Sequence, residues 1–268
     1  MKHHSSGTLL GAAGIAFALG LAATPAATAP PRDSCQGDRA CEDNTGKIGR
    51  ESCNGDFACE QNEGRVGRDA CNGLAACQGN AGRVGHGACS DESACVGNPG
   101  NLGRDACNGF RACFGLLNMA KIGPGSCNDE EACMHYQGES IARDACNDLG
   151  ACGFGSGDVA RDSCNGIDAC RVNNGDVARD SCSGEAACNN NRGRIAQDSC
   201  NGRSACQGNR GDVARDSCIG LGACAGNSGR IGRNSCNGDQ ACLANTADIG
   251  PDECNGPPVN GVGVCEQQ

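Results

Sequence analysis

No Trp, a single Tyr and five Phe leave aromatic side chains at 2% of this 268-residue chain. An oil-drop core is thereby excluded, because a domain of this length normally buries many large apolar side chains to offset the backbone entropy lost on folding. Cys-x2-Cys is absent and His occurs only as His3, His4, His86 and His135, so the ligand spacing of zinc and metal-thiolate sites is missing and no cofactor is expected. Positive charge is short as well. With 22 Lys and Arg against 32 Asp and Glu, the net charge is −10, and nucleic acid and anionic membranes are poor partners.

Long apolar runs are limited to Leu9 to Ala23, which is too short for a confident membrane span. Lys2 is the one charge before Arg32, and Ala27-Thr28-Ala29 offers a small-x-small cleavage pattern, so residues 1–29 read as a secretory signal. Pro30 hinders cleavage directly before it and moves the cut a few residues earlier. Losing Lys2 leaves 21 cations against 32 acids, a net of −11, in a secreted, extracellular chain with no membrane span after signal removal.

What the chain does have is 44 Gly and 26 Cys. An even count at one residue in ten points to an oxidising compartment. The cysteines repeat as Cys35 and Cys41, Cys53 and Cys59, Cys71 and Cys77, Cys89 and Cys95, Cys107 and Cys113, Cys127 and Cys133, Cys146 and Cys152, Cys164 and Cys170, Cys182 and Cys188, Cys200 and Cys206, Cys218 and Cys224, and Cys236 and Cys242. The steps are 18 residues, except 20 and 19 at the centre; a last pair, Cys254 and Cys265, closes after eleven residues, as a terminal cap does.

Counted from the first Cys as offset zero, the unit reads C-N-G-x-x-A-C-x-x-N-x-G-x-[VI]-[GA]-R-D-[SA], and Cys200 to Ser217 matches it at every named position. Such a unit is too short and Gly-rich for a helix pair and suits one coil of a β-solenoid with three short sides. The fold class is therefore an all-β, disulfide-laddered β-solenoid (β-helix) of about 18 residues per coil, twelve regular coils plus a C-terminal cap. Coils stacked about 4.8 Å apart make a rod of roughly 55 to 60 Å. Residues 30–34 form a short lead, 35–253 the solenoid with irregular coils at 107–145, and 254–268 the cap. Inward candidates are the cysteines, the Ala before each second Cys from Ala40 to Ala241, and Ile48, Val66, Val84, Val159, Val177, Ile195, Val213 and Ile231 at offset thirteen.

A Cys-x5-Cys pair around Asn-Gly can fold back across a turn and bring its Cβ atoms to bridging distance. Intracoil pairing is the simplest connectivity. Bridges between equal cysteines of adjacent coils are the rival, since the stacking distance also falls in the allowed Cα range. Closing a six-residue loop contributes roughly 2 kcal/mol in the chain-entropy treatment, so stability is expected to collapse on reduction.

Several other rows invite a functional reading. Arg followed by an acid recurs at Arg50-Glu51, Arg68-Asp69, Arg104-Asp105, Arg143-Asp144, Arg161-Asp162, Arg179-Asp180 and Arg215-Asp216, and charge neutralisation along the rod explains it more simply than catalysis. Gly157-Asp158, Gly175-Asp176 and Gly211-Asp212 locally resemble the Gly-rich calcium repeats of secreted toxins, but Lys47, Arg65, Arg83, Arg194 and Arg230 hold the same offset elsewhere. Asn44, Asn62, Asn80, Asn98, Asn173, Asn191, Asn209, Asn227 and Asn245 at offset nine read as a buried or turn amide ladder. Only the central coils depart from the repeat. There Phe110, Phe114, Leu116, Leu117, Met119, Met134, Tyr136 and Phe154 form a candidate partner patch, with packing beneath bulged loops as the alternative. His135 beside Tyr136 and Glu131 is too thin a set for catalysis, so the chain is not expected to be an enzyme.

The step Ser-Cys-Asn-Gly-x-x-Ala-Cys resembles the Thr-Cys-Thr-x-Ser-x-x-Cys unit of beetle antifreeze proteins, whose disulfide-laddered solenoids bind ice through paired Thr. The resemblance implies intracoil bridges and a Ser and Asn face, for example Ser52 with Asn54, Ser163 with Asn165 and Ser235 with Asn237. That family's coils are twelve residues long. Here Thr is confined to Thr45 and Thr246 after the signal, and Ala70, Ala88, Ala106 and Ala145 interrupt the Ser row. The expected function is a secreted non-catalytic structural or surface-interaction rod with an extracellular or cell-surface partner; ice binding through the Ser and Asn ladder is the alternative. A rod of stacked coils also has the ends and sides for self-association, end to end or side by side.

Overall fold

The computed structural model describes residues 30–256 and Cys265. The expected signal segment, residues 1–29, and most of the expected cap lie outside the described residues. Five two-residue strands, β1 (Arg65–Val66), β2 (Arg83–Val84), β3 (Asn101–Leu102), β4 (Lys121–Ile122) and β5 (Ser140–Ile141), form one parallel sheet in sequence order. Partners lie one coil apart, as in Val66 with Val84 and Ile122 with Ile141. Parallel bridges extend the ladder from Lys47 to Ile249. The chain is a β-solenoid.

The three short sides expected of each coil are unequal. One side, at offsets twelve and thirteen, is extended; the rest of each coil is a succession of tight turns. Backbone amides still point up and down the rod, because Cys59, Gln61 and Val66 donate to the previous coil while Cys53, Arg65 and Gly67 donate to the next. Turns inside the coil, such as Ala58 N–H to Gly55 O and Asn62 N–H to Cys59 O, bend the chain between these contacts.

Those turns demand left-handed backbone at fixed offsets. The first Cys of all thirteen pairs has φ between 57° and 61°, and the residue two before it is equally left-handed, as at Asp69, Asp162 and Asp216. Asp, Asn and Gly are the residues that tolerate this conformation best. The acid of each Arg-acid step therefore has a backbone reason to be there. Glycine at offset eleven answers a different constraint: a Cβ on Gly193 would collide with the carbonyl oxygen of Gly211 directly above it.

Every regular bridge closes within its own coil, with Cα atoms 5.5 to 5.7 Å apart, and Cys254 pairs with Cys265. The bridges stack into a continuous sulfur column, in which the sulfurs of Cys107, Cys113 and Cys127 lie within 4.8 Å of one another. Around it the Ala row and the offset-thirteen aliphatics from Val66 to Ile231 are buried, while Ile48 at the first coil is partly covered. Leu102, Ile122 and Ile141 continue that aliphatic column through the irregular coils. The extra residues bulge out between offset nine and the sheet, so sheet register survives.

Two substitutions separate conformation from charge at the acid row. Asp216→Gly should leave stability unchanged or raised, whereas Asp216→Val should lower it by about 1–2 kcal/mol through left-handed strain. Equilibrium unfolding of the oxidised chain in guanidinium reads both, and equal losses would assign the row to electrostatics instead.

Candidate functional site

The offset-nine Asn residues form two side-chain ladders and are buried except at the two ends of the rod, where Asn44 and Asn245 are half-buried. After the first rung of each run, Asn44 and Asn173, each Nδ2 donates to the Oδ1 of the Asn one coil earlier, at 2.7 Å for Asn80 to Asn62 and 2.8 Å for Asn209 to Asn191. It also donates to a carbonyl of its own turn, as Asn191 does to Gly193 O at 2.7 Å. At the last rung of each run, Oδ1 accepts a local amide instead: Gly100 N–H for Asn98 and Ala247 N–H for Asn245. Buried amides cost free energy unless paired, and in-register stacking supplies the partner.

The ladder breaks in the central coils, where Leu116, Tyr136 and Gly155 take offset nine. Leu116 and Tyr136 are fully or almost fully buried. The Tyr136 hydroxyl lies 2.9 Å from Ser140 O and 2.8 Å from Gly157 O, so its one proton is shared between carbonyls of two coils. Burial, reinforced by Asp158 and Asp176, pushes its phenol well above the ordinary value. Tyr136 is thus a packing anchor.

The candidate patch is therefore divided. Leu116 and Tyr136 belong to the interior, Phe110, Phe114, Met134 and Phe154 are half-buried, and Leu117 (60%) and Met119 (80%) project from the bulge. Sequence reasoning set His135 aside, yet its ring joins two of these aromatics. It meets Phe114 edge-on at 5.7 Å between centroids and lies 5.4 Å from Phe154. Arg111 covers Phe110 and Phe114, and Arg171 covers Phe154, so the strip is capped by guanidinium groups. The signal in the sequence was the placement of His135 and Phe154 at the same offset, eight, in successive coils.

The Ser row expected on the surface with Asn is instead interior. Ser52, Ser163 and Ser235 are fully buried, along with Ser126, Ser181, Ser199 and Ser217. Ser52 Oγ lies 2.7 Å from Gly67 O and accepts the amide of Ala70, so the hydroxyl links adjacent coils. A left-handed Cys next to it turns the Ser side chain inward. Asn at offset one forms a second ladder that the sequence reading did not anticipate: Asn54 Oδ1 accepts the amide of Gln36, and its Nδ2 donates to Asp33 O. Asn165 and Asn237 repeat this use.

Charged rows have comparable structural duties. Arg143, Arg161 and Arg179 lie 3.4, 3.2 and 3.3 Å from the acids that follow them, in exposed pairs of small energetic weight. Glu51 is held above the usual carboxylate range by a hydrogen bond with Asp69 and by that group's charge. Asp158, Asp176 and Asp212 accept backbone amides of the preceding coil, from Ser140, Asp158 and Arg194. These carboxylates act as turn acceptors, and the cysteine sulfurs are bridged rather than thiolate.

A family model described as "Domain of unknown function (DUF7640)" matches residues 20–95, 82–167 and 137–225, and the chain belongs to that family. No curated protein and no solved structure matches the chain.

Because Tyr136 is the only Tyr and Trp is absent, ultraviolet titration reads this one ring. A raised folded-state pKa means that the stabilisation is present below about pH 10 and is lost as pH rises above it. The phenolate band should be missing from the native chain at about pH 11 and appear with a midpoint near 10 after reduction and denaturation. An ordinary midpoint in the native chain would put the ring at the surface.

Proposed function

We propose that this chain is an exported, non-catalytic rod that serves as a rigid structural or surface-interaction module outside the cell. The carrying observation is that all 26 cysteines lie in bridges, and every coil has its own. Such a ladder requires an oxidising compartment. It also makes each coil a separately locked unit, which suits stiffness along the axis rather than motion about a catalytic centre. Further support comes from the acids, many of which are engaged in turns and amide acceptance, and from the Arg–Asp neighbour pairs of the later coils. The exposed Leu117 and Met119, next to the His135 aromatic strip, are the surface this reading offers to a partner.

Ice binding through paired Ser and Asn draws no support from a buried Ser row, and the oxidised chain should show no thermal hysteresis. The main test is fractionation of the producing cells with mass analysis. The expected result is chain in the medium whose N-terminus falls within about ten residues of Pro30, with no alkylatable thiol. A reduced chain retained in the cytosol would overturn the proposal. Full reduction should also unfold the rod at temperatures where the oxidised chain stays folded, by circular dichroism.

A further inference from the structure

The sheet side of the first five coils is unlike the rest of this acidic molecule. Offset twelve carries Lys47, Arg65 and Arg83, then Asn101, which pairs with Lys121 of the longer fifth coil, and offset fifteen carries Arg50, Arg68 and Arg104 with His86 among them. All are exposed, and neither row contains an acid over this stretch. Between the two rows run Gly49, Gly67, Gly85 and Gly103, leaving a backbone floor without side chains. The result is a groove of about 460 Å³ over the first three coils, continued by a second hollow from Arg83 to Lys121.

In-register stacking places like charges about 4.8 Å apart along each row, which is destabilising unless something offsets it. Farther along, offset twelve is diluted by Asp158, Asp176, Asp212 and Asp248, and several Arg of offset fifteen bind the acids beside them. Over the first five coils, by contrast, none of the seven cations lies within 4.0 Å of a carboxylate among the described residues.

We propose that this groove binds a linear acidic polysaccharide, laid along the rod over the glycine floor with its carboxylate or sulfate groups between the two cation rows. An extended polyanion neutralises several rungs at once and releases their counterions. Guanidinium groups take carboxylate and sulfate oxygens in forked pairs. No Phe, Tyr or Trp stands at offsets twelve, fourteen or fifteen of these coils, and His86 is the one ring there, so the face lacks the row of stacking platforms that single-stranded nucleic acid uses. The assignment deepens, and rests on, the reading of the chain as an extracellular interaction rod.

The test titrates the oxidised full chain with polygalacturonate and with heparin, using oligo(dT) as the competing class. Binding to one or both polysaccharides is expected at about 50 mM salt, weakening about tenfold or more by about 200 mM. R65Q/R83Q/R104Q should weaken it by about tenfold or more, while R161Q/R179Q/R215Q should stay within about twofold. Circular dichroism and thiol counts verify the fold of both variants. Absence of polysaccharide binding by the intact chain, equal loss in both variants, or tighter binding of oligo(dT) would each overturn the proposal. Failure of the underlying rod reading shows separately, as free thiols or cytosolic retention, without any ligand present.

Discussion

Stacking in register governs this molecule, because each coil completes the hydrogen bonding of the next. An Asn buried in one coil is paired by the Asn above it, a Ser hydroxyl by the turn above it, and a backbone amide by the carbonyl one period away. Any residue type therefore has to be acceptable when repeated directly over itself. That condition admits Ala, Cys, Gly, Asn and small β-branched side chains, and it explains how a chain with 2% aromatics can fold. The interior is a narrow column of sulfur and methyl groups flanked by polar ladders.

The disulfide and the left-handed cysteine belong to the same device. A non-Gly residue in that conformation costs roughly 1–2 kcal/mol, and it recurs at the first Cys of every pair. The bridge to the Cys six residues on, together with the bond from the Cys amide to the next coil, holds the turn in place. The turn then sends the preceding Ser inward and leaves the following Asn to clamp the coils from outside. A single local geometry thus sets the inward and outward assignments of three consecutive residues.

The central coils show what such a lattice tolerates. Two insertions are absorbed as bulges, and two of the three lost Asn rungs are filled by Leu116 and Tyr136 without disturbing the aliphatic column. Polar completion is transferred to the phenol, which ties together the carbonyls of Ser140 and Gly157. Departures from the repeat therefore remain compatible with the rod when the replacement fills the volume and leaves no buried amide unpaired. They also supply the surface variety, seen in the aromatic strip around His135, that a uniform lattice lacks.

Periodicity alone determined the solenoid, its coil length, the inward Cys, Ala and aliphatic columns and the offset-nine amide ladder, because a fixed spacing of small residues has few stackable solutions. The pairing of cysteines within coils followed from the same spacing, with the intercoil rival settled by the observed bridges. Other assignments needed tertiary structure, for a specific reason: the sign of φ is invisible in a sequence where Asp, Asn, Ser and Cys all suit turns. It decided that the Ser row faces inward, that Asn at offset one binds backbone rather than solvent, and that the apolar central residues divide between core and bulge. Which cations stand unpaired across a glycine floor was likewise a matter of side-chain placement: the sequence sets an acid directly after Arg50, Arg68 and Arg104, yet in the folded coil none of the three lies within 4.0 Å of a carboxylate among the described residues.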